Sequence, residues 1–219
     1  MTEKKPEQKE EKDSTKKEPL SKEKMLIGTA IGIVLIILIL VLGIKYYNPS
    51  EKVPVLKYNG FLFHQKAGFW HFDWKKNDSI VYTISLRFNP VEAAEAKLVG
   101  DSLDEFNKFI RENNVVFITF YPLANNFTYT TLAAGELSLS VARALDIIPY
   151  AACTVNETET CKDRPIVTCD STSAAVIYLD HEEDKTQIEQ KGNCLIISGR
   201  GLEKLRAVDR VLYSWYKIY

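Results

Sequence analysis

The chain has 219 residues, 46% of them hydrophobic and 26% charged, with a formal net charge of −1. That length holds one ordinary domain with a tail to spare. A near-neutral balance lacks the strongly basic footprint of a nucleic-acid binder, so no nucleic-acid partner is expected.

The average conceals a partition. Residues 1–24 hold eight lysines and seven acidic residues and no aromatic side chain. Such a segment cannot bury enough apolar surface to offset its ordering entropy, and a disordered, charged, cytoplasmic tail is expected. Residues 25–44 then read MLIGTAIGIVLIILILVLGI, twenty residues without a charge. At about 1.5 Å per residue they reach roughly 30 Å, the hydrocarbon thickness of a bilayer. Their apolar residues cover every side of a helix instead of one stripe. A transmembrane helix over residues 25–45 is predicted, and the lipid bilayer is its partner. Lys22 and Lys24 before it, and Lys45, Tyr46 and Tyr47 after it, suit the two interfaces. The small-residue cleavage pattern of a secretory signal is not seen after it. Six lysines in residues 6–24 against three in residues 45–64 place the N-terminus in the cytoplasm. The expected location is the cell membrane, single-pass, with the C-terminal domain outside.

The tail carries +1 and Lys45 another, which leaves −3 for residues 46–219. A linker over residues 46–54, with Pro49 and Pro54, leads to one globular domain over residues 55–219, large enough to bury its own core. Its first part reads as antiparallel β. Residues 79–88, SIVYTISLRF, alternate without a break, with Ile80, Tyr82, Ile84, Leu86 and Phe88 on one face. GFLF and GFWHFDW before them complete a three-stranded meander. After Pro90 the pattern changes. Ser102 and Glu105 fit a capping box opening a short helix with Leu103, Phe106 and Ile110 inward. Residues 115–121, VVFITFY, read as a buried strand. Residues 129–145 read as a helix striped by Leu137, Val141 and Ala144, with Ala133, Ala134 and Gly135 permitting close approach. Strands are predicted at residues 148–152, 166–169, 174–179 and 194–198. A last amphipathic helix over residues 202–217 turns Leu202, Leu205, Val208, Leu212 and Tyr216 inward. The order βββ-α-β-α-ββββ-α indicates an α+β or mixed α/β domain. It is an N-terminal β-meander followed by a mixed sheet with packed helices, preceded by one transmembrane helix.

The four cysteines, Cys153, Cys161, Cys169 and Cys194, all fall on the side predicted to be external, where disulfides persist. Four cysteines allow three connectivities. The preferred one joins Cys153 to Cys161 across a polar loop and Cys169 to Cys194 between two strands. Zinc sites favour ligand pairs two to four residues apart, which the seven-residue gaps here do not supply. No C-x-x-C occurs either.

Few other residues suggest chemistry. Ser198, Gly199, Arg200 and Gly201 join a strand to a helix, where backbone N–H groups and the helix dipole can hold an anion. The same residues also serve an ordinary tight turn, and the full G-x-G-x-x-G pattern fails at Lys204. Trp70, Phe72 and Trp74 line one face of a strand, as core or as a stacking platform for sugars. The run DHEED at residues 180–184 lacks the spacing of a calcium loop. With three histidines and no G-x-S-x-G or phosphate loop, no catalytic residue, cofactor or metal site is assigned. Asn77, Asn126 and Asn156 stand in N-x-[ST] sequons.

The segments Tyr58-Asn-Gly-Phe61, Trp70, Asn89-Pro-Val-Glu92, Cys194-Leu-Ile-Ile-Ser-Gly199 and Ala207-Val-Asp-Arg-Val-Leu-Tyr213 together resemble archaeal single-span membrane proteins of unassigned activity. The resemblance implies a surface-anchored domain and no catalytic residue. The role expected from all this is structural or protein-interacting, with another membrane or surface protein as partner. The alternative is a membrane-bound enzyme or small-anion binder at the turn of Ser198 to Gly201.

Overall fold

A computed structural model of the protein describes residues 22–47, 53–100, 103–125, 127–181 and 185–219. The expectations for residues 1–21, most of the linker, Ser102, Asn126 and residues 182–184 lie outside them. The chain divides into two compact units, Met1–Lys52 and Val53–Tyr219. In the first, α1 is a 26-residue helix, Lys22–Tyr47. It extends past the predicted 25–45 at both ends, and Leu26–Tyr46 is long and apolar enough to cross a membrane. Its large aliphatic side chains are exposed, which water would penalise and a lipid phase would not.

The second unit is mixed α+β with two sheets. The first is an antiparallel meander of four strands, β1 (Val55–Tyr58), β2 (Phe61–Lys66), β3 (Phe69–Lys75) and β4 (Val81–Leu86), paired in that order. Alternation makes it two-faced. Phe63, Trp70, Phe72, Trp74, Ile84 and Leu86 are buried, while Leu62, His64, Asp73 and Thr83 face outward. The Trp70–Phe72–Trp74 row is therefore core. Ile80, predicted to share the inner face, precedes β4 and is 40% exposed. The strand β1 is missing from the sequence reading because Pro54 and four residues of VLKY carry too little pattern.

A short helix, α2 (Pro90–Ala93), follows the meander. Asn89 Oδ1 accepts from Val91 and Glu92 N–H, and Glu92 Oε2 accepts from Asn89 N–H, each at 2.9 Å. This reciprocal pair is a capping box. The helix predicted to open on Ser102 and Glu105 is α3 (Asp104–Asn113), whose N-cap is Leu103, without a side-chain bond.

The second sheet has the order β5-β9-β10-β8-β6-β7, formed by β5 (Lys97–Val99), β6 (Val115–Phe120), β7 (Ile148–Cys153), β8 (Ala175–Leu179), β9 (Gln187–Lys191) and β10 (Cys194–Ser198). Strands β6, β7, β8 and β10 are parallel, and β9 runs against β10. Neither β5 nor β9 was legible as a strand: one is three residues long, the other is QIEQK with a single buried Ile188. Residues 166–169, predicted as a strand, make only one bridge, Ile166 to Cys153. Pro149 stands on the edge strand β7, where a missing N–H costs no ladder bond.

Three helices cover one face of this sheet: α3, α4 (Phe127–Ser140, continuing in a π turn, Val141–Leu145) and α5 (Leu202–Trp215). Alternate residues of β8 show the division. Ala175, Ile177 and Leu179 join the helix-side core, while Val176 packs with Ala152, Val167 and Cys194 under residues 154–174. Helix α5 also carries the meander on its outer side. Tyr213 lies 5.9 Å from Phe63 and 5.8 Å from Phe72, and Tyr216 lies 5.1 Å from Trp74, between ring centroids. It is thus a middle layer, not the one-sided amphipathic helix its sequence suggests. Leu205, Val208, Leu212 and Tyr216 are buried as predicted, but Leu202 is 51% exposed in the first turn.

Burial on both sides forces the polar residues of α5 to find partners inside. Asp209 Oδ2 accepts from Arg87 N–H (3.0 Å) and Phe88 N–H (2.9 Å), and Tyr213 donates to Phe88 carbonyl (2.7 Å). Trp215 donates to Asn107 Oδ1 of α3 (2.8 Å), and Tyr216 to Ser140 Oγ of α4 (3.0 Å). The second Asp209 oxygen has no hydrogen-bond partner among the described residues. Loss of water pushes the Asp209 carboxyl up to about 7, against the lowering pull of the Phe88 and Arg87 N–H groups and the Arg87 charge. Because the folded state holds this proton more tightly than the unfolded chain, stability falls as pH rises from about 4 to about 7 and levels above. The contribution is at most about 1.4 kcal/mol per pH unit in that window. Asp209→Asn, which keeps the accepting oxygen, is expected to remove that part of the decline in Tm measured between pH 5 and 7.5. Asp209→Ala, which orphans two buried N–H groups, should instead destabilise by about 2–4 kcal/mol at every pH.

Candidate functional site

Both disulfides are formed, Cys153–Cys161 with Cα atoms 5.9 Å apart and Cys169–Cys194 with Cα atoms 5.3 Å apart. No cysteine is free. This is the preferred pairing, and it excludes the thiol and zinc readings of these residues. The first bridge ties the end of β7 to a single 3₁₀ turn, Glu159–Cys161. The second fastens residues 154–174 to the start of β10, on the sheet face that no helix covers. Thr119 supports the same cover by donating to Val167 carbonyl at 2.7 Å.

The turn at Ser198 to Gly201 sits where the parallel strand β10 ends, and β6 and β8 end beside it. Carboxyl ends of parallel strands are where ligands enter sheets of this kind. Several polar side chains gather there. Ser198 donates to Asp180 Oδ2 (2.9 Å), and His181 Nδ1 shares a hydrogen bond with Tyr178 hydroxyl (2.9 Å) and lies 3.8 Å from Asp180 Oδ1. The His181 ring packs against Tyr121, centroids 4.5 Å apart. Lys204, buried in the first turn of α5, donates to Thr130 of α4 at 3.1 Å. The serine hydroxyl is directed at the carboxylate and the imidazole at a phenol, so the three do not form the serine–histidine relay of a hydrolase.

The glycines of the turn answer to packing. A Cβ on Gly199 would lie 2.6 Å from Lys204 N and 2.8 Å from Glu203 C, so only glycine lets the chain pass the start of α5. Gly201 has φ 60° and ψ −123°, a conformation open to glycine alone. Two first-turn donors are already used, since Glu203 N–H bonds Arg200 carbonyl (3.1 Å) and Lys204 N–H bonds Gly201 carbonyl (3.3 Å). Glu203 adds a carboxylate, accepting from Thr186 at 3.2 Å. Arg200 is exposed.

Two sequons lie on described residues. Asn77 is exposed in the turn before β4, its Oδ1 accepting from Ser79 N–H (3.0 Å) and Ile80 N–H (2.9 Å). Asn156 is exposed inside the loop closed by Cys153–Cys161. Among the described residues no three histidine, cysteine, aspartate or glutamate side chains gather as a metal would need. The outward face of the meander carries a shallow hollow of about 550 Å³ between Leu62, His64, His71, Asp73 and Val81. His71 is held there by Ser85 Oγ (2.8 Å) and by Lys66 carbonyl (3.2 Å).

Sequence reasoning singled out Ser198 and the glycines but not Tyr121, which follows β6, Tyr178 of β8 or Thr130 of α4. It weighed Asp180 and His181 only as members of an acidic run. No family model, curated protein or solved structure matches the chain, so the geometry alone carries the reading. Gly199→Ala is expected to destabilise by roughly 2–3 kcal/mol through displacement of α5, and Gly201→Ala by about 1–3 kcal/mol through backbone strain. Chemical denaturation of both variants, with Arg200→Ala as a neutral surface control, checks this.

Proposed function

We propose that the chain is a single-pass membrane protein whose C-terminal domain stands outside the cytoplasm and acts by binding another membrane or surface protein. The carrying observation is that all four cysteines are consumed in two disulfides, in a chain that also holds one helix long and apolar enough to span. Disulfides of this kind persist in oxidising compartments, and the helix supplies the tether. Support for a binding role comes from the outer face of the meander, where Leu62 and Val81 are about half exposed beside the hollow that holds His64 and His71. On this reading Asn77 and Asn156 are glycan acceptors, exposed and on the external side. A small-anion site at Ser198 to Gly201 has less support, because two first-turn donors of α5 and both glycines are engaged by the fold.

Three measurements test the reading. Protein recovered from membranes should retain its N-terminal residues, whereas a chain beginning after residue 47 would identify α1 as a cleaved signal. Protease added to intact cells should remove the domain and leave the tail; a fully protected domain overturns the orientation. Cross-linking in membranes should capture a defined heterologous partner through the face of Leu62 and Val81, and recovery of the monomer alone counts against the binding role. Removing Cys169–Cys194 should also destabilise more than removing Cys153–Cys161, by about 3.5 against 2.5 kcal/mol in the chain-entropy model.

A further inference from the structure

Gly135 stands in the middle of α4, where glycine costs about 1 kcal/mol relative to alanine. Its backbone is not left-handed, and a Cβ built on it meets no atom within 4 Å. The close approach predicted for Ala133, Ala134 and Gly135 holds for Ala133, which is buried, and not for Gly135, which is exposed. Neither conformation nor packing accounts for the glycine. What it faces is a cleft of about 270 Å³ between α4, the ends of β6 and β7, and the disulfide-closed loop.

Ile118, Phe120 and Phe127 give the cleft an apolar lining. The loop supplies Arg164 and Thr160. Arg164 follows the Cys153–Cys161 bridge, and its N–H bonds the Cys161 carbonyl at 3.1 Å, so the disulfide sets its position. Its guanidinium lies 5.8 Å from the Phe120 ring centre and has no carboxylate partner among the described residues. Thr160 is exposed, and its hydroxyl makes no hydrogen bond among the described residues. The other two hydroxyls of the cleft are spent on α4 itself, Thr131 donating to Phe127 carbonyl (3.0 Å) and Ser138 to Ala134 carbonyl (2.7 Å).

We infer that this cleft binds a small organic monocarboxylate, its apolar body over Ile118 and Phe120 beside Gly135 and its carboxylate on Arg164 and Thr160. One guanidinium balances one negative charge, and its planar fork matches a carboxylate. At about 30 Å³ per water the cleft has room for about nine waters, the heavy-atom count of benzoate. Gly135 is then the residue that keeps the cleft open. The inference does not rest on the membrane orientation or on the protein partner proposed above.

The test uses the full chain in detergent micelles, labelled at isoleucine and alanine methyls, with benzoate as probe and benzyl alcohol as the neutral control. Benzoate is expected to shift the Ile118, Ala134 and Ala151 methyls saturably, with a Kd in the millimolar range or tighter. Benzyl alcohol should bind at least about tenfold more weakly, and Arg164→Gln should cost benzoate about tenfold or more, in keeping with a lost charged hydrogen bond. Gly135→Leu, a favourable change for the helix, should block binding; Ala151→Leu fills the cleft from the opposite wall should the first variant misfold. Absence of localised shifts overturns the site. Equal response to the alcohol, or unchanged affinity in Arg164→Gln, overturns the carboxylate.

Discussion

Helix α5 is buried between two sheets, and almost every other feature of the domain follows from that position. A helix with one wet face can leave its polar residues in water, but α5 has sheet on one side and meander on the other. Its polar groups must therefore be answered within the protein. Asp209 binds the chain where it leaves β4, Tyr213 binds the next carbonyl, and Trp215 and Tyr216 reach α3 and α4. Outside this core, Arg206 and Arg210 bind Glu95 and the Ala94 and Ala96 carbonyls around α2. The same helix thus sets the meander, the α2 corner and the two neighbouring helices against one another.

The six-stranded sheet meets a different problem on its far face. No α-helix of the second unit covers it among the described residues, and residues 154–174 form little regular structure of their own. A cover without a hydrogen-bonded ladder keeps much conformational freedom, and two disulfides remove that freedom from the unfolded chain. Cys169–Cys194 draws the cover onto β10, and Cys153–Cys161 closes its first loop. The edge of β7 is managed by the same segment. Pro149 offers no N–H, and Cys153 exchanges backbone bonds with Pro165 and Val167, so the last part of this edge is closed to another strand. Holding the cover down also carries Arg164 to the rim of an apolar cleft. Stability and site geometry therefore share one staple.

The sequence made long, patterned elements legible. Alternation in residues 79–88 and in the Trp70–Phe72–Trp74 row located the meander, since one face of it is wet and the other dry. The stripe through Leu205, Val208 and Leu212 located α5. Elements lacking such contrast were lost: β9 because polar side chains surround one Ile188, β5 because it is three residues long, and α2 because a four-residue helix has no period. The capping box at Asn89 went unread for a related reason. Asn89 and Glu92 have the spacing of such a box, but the four-residue helix they open has no apolar period to mark it, and the reciprocal bonds are visible only in the local geometry. At the candidate site, Ser198 and the glycines were visible as a strand-to-helix junction. Tyr121, Tyr178, Asp180, His181 and Lys204 were not a group until the strands were set side by side.

By itself the sequence determined what depends on composition and short-range pattern: a charged tail, one apolar stretch of bilayer length, a two-faced meander, and a cysteine set suited to an oxidising compartment. Those properties are local, so a single chain reads them directly. Only the tertiary structure decided that α5 is a middle layer, that Gly199 is required by the backbone of α5, and that Gly135 has nothing against it. Each of these is a relation in space that residue types and their spacing do not encode. Glycine looks the same in a sequence whether it is forced by a neighbour five residues on or left facing an open cleft.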